Sequence, residues 1–217
     1  MYRYVLFDLD GTLTDPGEGI TNSVAYALAQ FGIAVADRTA LYPFIGPPLM
    51  ESFGKYYGFD GDAQRRALEE YRVYFRKQGM FENTVYPQTV RLLQALRAAG
   101  CCLILATSKP EEFAEQILDH FDLRCYFDCV AGASMDERRN QKADVVAYAL
   151  EKAGIVDKTA AVMVGDRKHD VLGAHANGLS AIGVLWGYGN RAELKAAGAD
   201  GIAADMAALA AMLEVEL

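Results

Sequence analysis

The sequence predicts an α/β fold: a parallel sheet wound on both faces with helices and interrupted near its start by a small helical insertion. Three patterns carry this expectation. Short apolar runs at 4–7, 101–106, 129–131, 160–164 and 181–185 lack the apolar/polar alternation of a half-exposed strand, so they read as strands buried on both faces. Stretches with apolar residues at helical spacing separate most of these runs, and strands alternating with helices imply a parallel sheet covered on both sides. Between about residues 15 and 82 the strand pattern disappears and only helical spacing remains. The expected organisation is a core of residues 1–14 and 83–217 with a helical-bundle unit at 15–82.

Taken in order, Tyr4-Val5-Leu6-Phe7 opens the sheet and runs out into Asp8-Leu9-Asp10-Gly11-Thr12. Side chains alternate along an extended chain, so Asp8 and Asp10 leave on the same side. Two like charges that close are unfavourable unless a cation or a proton lies between them, although a solvated acidic turn would carry the same residues. Ile20, Val24, Leu28 and Phe31 form one helical stripe that Gly32 can end. A loop is expected from Asp37 to Gly61, stiffened by Pro47-Pro48, and then a helix with Leu68, Tyr71 and Phe75. The α/β rhythm resumes at Val85. Val90, Leu93 and Leu96 face inward on a helix ending at Gly100, and the next strand ends in Thr107-Ser108. Further helices carry Phe113, Ile117 and Phe121, and then Val146 and Leu150 behind Lys142. The strand at 160–164 ends in Gly165-Asp166, and Met206, Leu209 and Leu213 mark a closing helix.

The chain has 217 residues, enough for a sizeable core, and 52% hydrophobic with 23% charged residues is an ordinary globular balance. A formal net charge of -8 argues against a nucleic-acid polymer or an anionic membrane as partner. No apolar run reaches the length of a membrane span and the first residues lack a secretory h-region, so a cytoplasmic location is expected. Cys101, Cys102, Cys125 and Cys129 lack the paired spacing of a zinc site and read as reduced structural cysteines.

Ligands of parallel sheets bind beyond the carboxyl ends of the strands. That edge should collect Asp8 and Asp10, Thr107 and Ser108, and Asp166 with Asp170, while Lys142 opens the helix before the last of these strands. Carboxylates, hydroxyls and one amine at a single edge suit phosphoryl transfer, which needs a nucleophile, a cation and donors for the phosphoryl oxygens. Few carboxylates and only oxygen donors suit Mg²⁺.

The string Phe7-Asp8-Leu9-Asp10-Gly11-Thr12-Leu13-Thr14 resembles the first motif of the haloacid dehalogenase-like (HAD) superfamily. Thr107 looks like its second motif, Lys142 its third and Gly165-Asp166-x-x-x-Asp170 its fourth, in the expected order. The helical insertion after the first motif is similar to that of the subclass of phosphoglycolate phosphatases, β-phosphoglucomutases and 5'-nucleotidase-like members, and the strings at 14–20, 45–49 and 165–170 look closest to its phosphoglycolate phosphatase and 5'-nucleotidase-like group. The resemblance implies a doubly wound, Rossmann-like core with a helical cap, and a Mg²⁺-dependent phosphatase of a small phosphomonoester working through an aspartyl-phosphate. In that scheme Asp8 is the nucleophile and Asp10 the general acid/base. Asp8, the backbone carbonyl of Asp10, and Asp166 hold the metal, with Asp170 acting behind them or through water, and Thr107, Ser108 and Lys142 bind phosphate. Asp15, Gly46, Pro47 and Pro48 are the cap residues expected near substrate, although the two prolines could equally only stiffen a bend.

Lys142 lies outside the Gly-Lys-Pro context common in that family, so Lys109, before Pro110, competes for its role; Lys142 is preferred and Lys109 is expected at the pocket rim. His169 reads as an exposed or hydrogen-bonding residue. Trp186-Gly187-Tyr188-Gly189 reads either as pocket lining or as a loop whose glycines serve for turning. A phosphomutase of the β-phosphoglucomutase type and a non-catalytic binder of phosphorylated metabolites share the same motifs and stay open, as does the choice between monomer and homodimer.

Overall fold

In the computed structural model, residues 2–217 are described. The chain forms two compact units, one of Met1–Thr14 with Val85–Leu217 and the other of Asp15–Thr84. In chain order the elements are β1 (Tyr4–Phe7), β2 (Thr14–Asp15), α1 (Gly17–Ala29), α2 (Leu49–Tyr57), α3 (Gly61–Tyr74), β3 (Thr84–Val85), α4 (Thr89–Ala98), β4 (Cys102–Pro110) and α5 (Glu111–His120). They continue with β5 (Cys129–Ala133), α6 (Lys142–Lys152), β6 (Ala161–Gly165), α7 (Lys168–Ala176), β7 (Ser180–Val184), α8 (Arg191–Ala196), β8 (Gly201–Ala203) and α9 (Met206–Met212). Among the described residues no helix is long and apolar enough to cross a membrane.

The larger unit is a six-stranded sheet in the order β5-β4-β1-β6-β7-β8, with parallel pairing throughout. Counting only its own strands, that order is 3-2-1-4-5-6. The chain winds outward from β1 in one direction and then, from β6, in the other, so the direction reverses between β1 and β6. At such a reversal the loops after the two strands part and leave a crevice at their carboxyl ends. Val5, Leu6 and Phe7 of β1 are fully buried, as a central parallel strand requires. One face of the sheet packs Leu6, Ile104, Ala106, Met163 and Ala181 against Val146 and Leu150 of α6, Val171 and Ala174 of α7, and Leu194 of α8. The alternate residues Val5, Phe7, Leu103, Leu105, Val162 and Val164 are equally buried and face the other way.

β4 extends further than expected: it runs through Thr107 and Ser108 to Pro110, with a register shift against β5 between Thr107 and Pro110. The inward stripe of α4 also differs, because Leu92, Leu93 and Leu96 are buried while Val90 is exposed. The helix begins only at Thr89, after Gln88 in a left-handed conformation, and this sets the face it presents. Neither α8 nor β8 is announced by the sequence pattern. α8 buries only Leu194 and β8 is three residues long, too little of either for a periodic signal.

The smaller unit is helical. Its expected 37–61 loop is largely ordered into a 3-10 helix at Arg38–Phe44 and α2, which Pro48 precedes and Gly58 closes in a left-handed conformation. α2 is short and aromatic: Phe53 is fully buried, edge-on to Phe44 with ring centroids 5.1 Å apart and stacked on Phe59 at 6.0 Å. Aromatic packing of this kind stabilises a unit that has few apolar stripes.

Candidate active site

Asp8 and Asp166 follow the two strands that flank the reversal in winding. The Asp8 backbone N–H donates to Val164 O at 2.9 Å, continuing the β1–β6 ladder by one residue and fixing where its carboxylate begins. Asp170 stands in the first turn of α7, where its Oδ2 accepts the Arg167 N–H at 3.0 Å and caps the helix. Lys142, the first residue of α6, sends Nζ to Asp8 Oδ2 at 2.9 Å, Asp170 Oδ1 at 2.7 Å and Ala106 O at 3.1 Å. Its ammonium thus links the residue after β1, the middle of β4 and the first turn of α7. The Asp170 contact is a buried ion pair.

All four charged groups are buried. Burial alone would lower the Lys142 ammonium, but Asp170 and then Asp8 outweigh it and hold its pKa above the ordinary value. Burial raises the Asp170 carboxyl to about 6, Lys142 opposing and Asp8 adding to the rise. Burial, joined by the charges of Asp170 and Asp8, pushes Asp166 well above the usual carboxylate range. Three carboxylates facing a single ammonium are short of positive charge.

A metal ion would supply it. Carboxylate oxygens of Asp8, Asp166 and Asp170 lie within 4.8 Å of one another. Asp166 Oδ1 is buried with no hydrogen-bond partner among the described residues, while Asp170 Oδ1 faces the Lys142 ammonium at 2.7 Å. An all-oxygen donor set with an orphaned acceptor fits a hard divalent cation. Asp170 therefore stands in the same cluster as Asp8 and Asp166.

The side chain of Asp10 takes a different partner. Its Oδ2 lies 2.8 Å from Lys109 Nζ, and its Oδ1 is buried without a partner among the described residues. Burial raises the Asp10 carboxyl despite the opposing pull of Lys109. Lys109 is thus not a rim residue as expected: its side chain is 4% exposed and belongs to the site. The β4 register shift turns it inward, and a two-residue irregularity of that kind gives no hydrophobic signal in a sequence. Thr107 is buried, with Oγ1 accepting the Lys109 N–H at 3.2 Å, while Ser108 is half-buried.

The Trp186–Gly189 loop is the other feature that sequence leaves unresolved. Tyr188 N–H donates to Asp166 Oδ2 at 2.7 Å, and Trp186 Nε1 donates to Thr12 O at 3.0 Å. A Cβ on Gly187 would strike Gly11 O and the Asp166 side chain, and one on Gly189 would strike Asp166 O. Neither glycine has positive φ, so close approach, not turning, explains both. His169 is half-buried, and burial together with Arg167 and Lys168 lowers its pKa. The four cysteines are free thiols.

Asp15, Gly46, Pro47 and Pro48 belong to the helical unit, apart from this constellation in the chain. Asp15 Oδ1 accepts the Gly17 N–H at 3.0 Å at the start of α1, and Gly46 and the two prolines are half-buried ahead of α2.

A doubly wound parallel sheet with buried carboxylates and lysines where its winding reverses defines an enzyme of the α/β class with an acidic, cation-accepting site. The chain belongs to the haloacid dehalogenase-like hydrolases, whose family pattern matches residues 5–184. It is 44% identical over 213 residues to a 5'-nucleotidase of Pseudomonas aeruginosa, covering 98% of this chain and 96% of that protein. A solved structure described as a predicted phosphatase from Clostridium acetobutylicum superposes with a TM-score of 0.96 at 48% identity, covering 99% of each chain. The tyrosine-protein kinase PtkA of Mycobacterium tuberculosis is 41% identical over 187 residues, 86% of this chain and 63% of that protein. This chain is a phosphatase-type hydrolase of the family.

Proposed function

We propose that the chain hydrolyses a small phosphomonoester through an aspartyl-phosphate on Asp8, with a nucleoside monophosphate as first candidate and phosphoglycolate as second. The observation that carries this reading is the buried cluster of Asp8, Asp166 and Asp170 around Lys142, beside an Asp10 whose carboxyl is raised. The full-length similarity to a 5'-nucleotidase supports the order of substrates.

Asp8, Asp166 and the Asp10 backbone carbonyl would hold Mg²⁺, with Asp170 alongside them. When bound, the ion screens the Asp8 carboxylate from the phosphate dianion. Asp8 attacks phosphorus, its O–P bond forming as the bond to the leaving oxygen breaks. Asp10, whose carboxyl burial raises, gives a proton to that oxygen. Water then attacks the aspartyl-phosphate, Asp10 takes a proton from it, and Asp8 is released as carboxylate. Lys142, kept charged by Asp170 and Asp8, donates to the phosphoryl oxygens together with Thr107 and Ser108. The helical unit acts as a cap that excludes water and selects the leaving group, with Asp15, Gly46, Pro47 and Pro48 its substrate-side residues. The net charge of -8 fits a small-molecule substrate better than a nucleic-acid polymer, and the four free cysteines fit a cytoplasmic setting.

A panel of nucleoside monophosphates, phosphoglycolate and a hexose 1-phosphate, assayed with and without Mg²⁺, tests the proposal. Mg²⁺-dependent phosphate release, greatest on a nucleoside monophosphate, is expected. Isomerisation of the hexose 1-phosphate faster than any hydrolysis would overturn it.

A further inference from the structure

Lys109 has a burial that a surface cation would not have and a position that a regular strand would not give it. Gly132 and Ala133 of β5 are consecutive, yet they pair with Thr107 and Pro110 of β4, so the register jumps across Ser108 and Lys109. Such an irregularity bends a strand and re-aims its side chains. Three contacts fix the bend. Thr107 Oγ1 accepts the Lys109 N–H at 3.2 Å, Glu111 Oε2 accepts the Gly132 N–H at 3.0 Å, and Glu111 Oε1 lies 2.8 Å from Lys152 Nζ. A Cβ on Gly132 would run into the Glu111 backbone, so β5 lies directly against the start of α5. The side chain of Lys109 is thereby held from outside the reaction centre, and its Nζ meets Asp10 Oδ2 at 2.8 Å.

We infer that Lys109 is a positioning residue for proton transfer at the leaving oxygen. It grips Asp10 by Oδ2, so that Oδ1, buried and without a partner among the described residues, is the atom that delivers the proton. The inference rests on the acid/base role given to Asp10 in the proposed function. The two ammonium groups of the site then have separate roles, Lys142 serving the carboxylate that attacks and Lys109 the carboxylic acid that protonates. A carboxyl free to rotate would spend part of its time with the wrong oxygen, or none, facing the departing group, and small misplacements of a catalytic group are costly in rate.

The test compares kcat/KM, which covers the steps through departure of the leaving group, on two esters in Mg²⁺. p-Nitrophenyl phosphate has a leaving group stable as an anion, whereas a nucleoside 5'-monophosphate loses an alkoxide that needs a proton. Lys109→Met should lower kcat/KM by about 100-fold on the nucleotide, within the range of acid catalysis, and by less than about threefold on the nitrophenyl ester. Lys109→Arg should recover part of the loss, to about tenfold on the nucleotide. Melting curves identify the folded variants, and Lys109→Arg, which keeps the buried charge, supplies the same ratio if Lys109→Met does not fold. Equal losses on both esters in a folded variant, or a higher KM on both with kcat unchanged, would overturn the inference in favour of a scaffold or phosphate-binding role, as would no loss on either. Wild-type protein that hydrolyses neither ester would instead overturn the acid/base reading itself, and the inference with it.

Discussion

The backbone N–H of Tyr188 donates to Asp166 Oδ2 at 2.7 Å, so a loop after β7 holds one oxygen of a carboxylate that follows β6 while the other oxygen is left without a partner among the described residues. This contact requires the backbone on either side of Tyr188 to come very near Asp166, which Gly187 and Gly189 permit. Gly187→Ala should therefore force the loop away. We expect a cost of about 1–3 kcal/mol, typical of overpacking, and a weaker affinity for divalent cation. Calorimetry with and without Mg²⁺ checks both, and a variant as stable and as responsive to Mg²⁺ as wild type would contradict the packing role.

Asp166 carries the largest unbalanced burden of the site, since its carboxyl is raised by burial and then by Asp170 and Asp8. Its charge is unfavourable for folding until a cation compensates it. Asp166→Asn should raise the melting temperature in chelator and abolish the rise that Mg²⁺ gives the wild type by mass action. A variant less stable than wild type in chelator, or one still stabilised by Mg²⁺, would count against the cation site.

Lys142 is the one ammonium in contact with both Asp8 and Asp170 among the described residues. Removing one partner of a buried ion pair leaves the other charged and uncompensated, at a cost of about 3–5 kcal/mol. Lys142→Met should be destabilised on that scale at neutral pH in chelator, and Mg²⁺ should return part of the loss. Urea melts give the numbers, and a loss that Mg²⁺ does not reduce would mean that Lys142 and the cation do not share the same carboxylates.

Much of this arrangement is legible in the sequence because strand ends coincide with chemistry. Asp8, Asp10, Asp166 and Asp170 are fixed by local strings, and the rule that sites lie beyond strand ends brings those strings together. Lys142 can be chosen because a helix of the right length follows it. Sequence reasoning misplaces Lys109 because its direction depends on a register shift between β4 and β5, a pairing property that the β4 residues alone do not encode. The Trp186–Gly189 loop is ambiguous in sequence for a related reason: a glycine needed for close approach and one needed for a turn look alike until the opposing atom is known. α2 escapes notice because its helical face is aromatic and short, and β8 because three residues have no period.

Away from the site, Asp200 Oδ2 accepts from His175 Nε2 at 3.0 Å and from the Ala181 N–H at 2.8 Å, linking α7 to the start of β7. The bond from His175, offset by burial and aided by Ala181, holds the Asp200 carboxyl below its ordinary value. A carboxyl lowered by folding adds stability above its unfolded pKa, about 3.9, and loses it as pH falls through the lower folded value. The wild type should therefore lose this increment below about pH 4, and Asp200→Asn should be less stable at neutral pH with a shallower acid limb. Melting curves from about pH 3 to 7 make the comparison, and superimposable limbs would exclude a contribution from Asp200.

The central claim is that Asp8 becomes phosphorylated, and rapid acid quenching of turnover on an ester labelled in its phosphate, followed by peptide mapping, tests it most directly. Label on the peptide that contains Asp8, appearing no later than free phosphate and absent in Asp8→Asn, is the predicted result. Label on another residue, or undiminished phosphate release by Asp8→Asn, would contradict it.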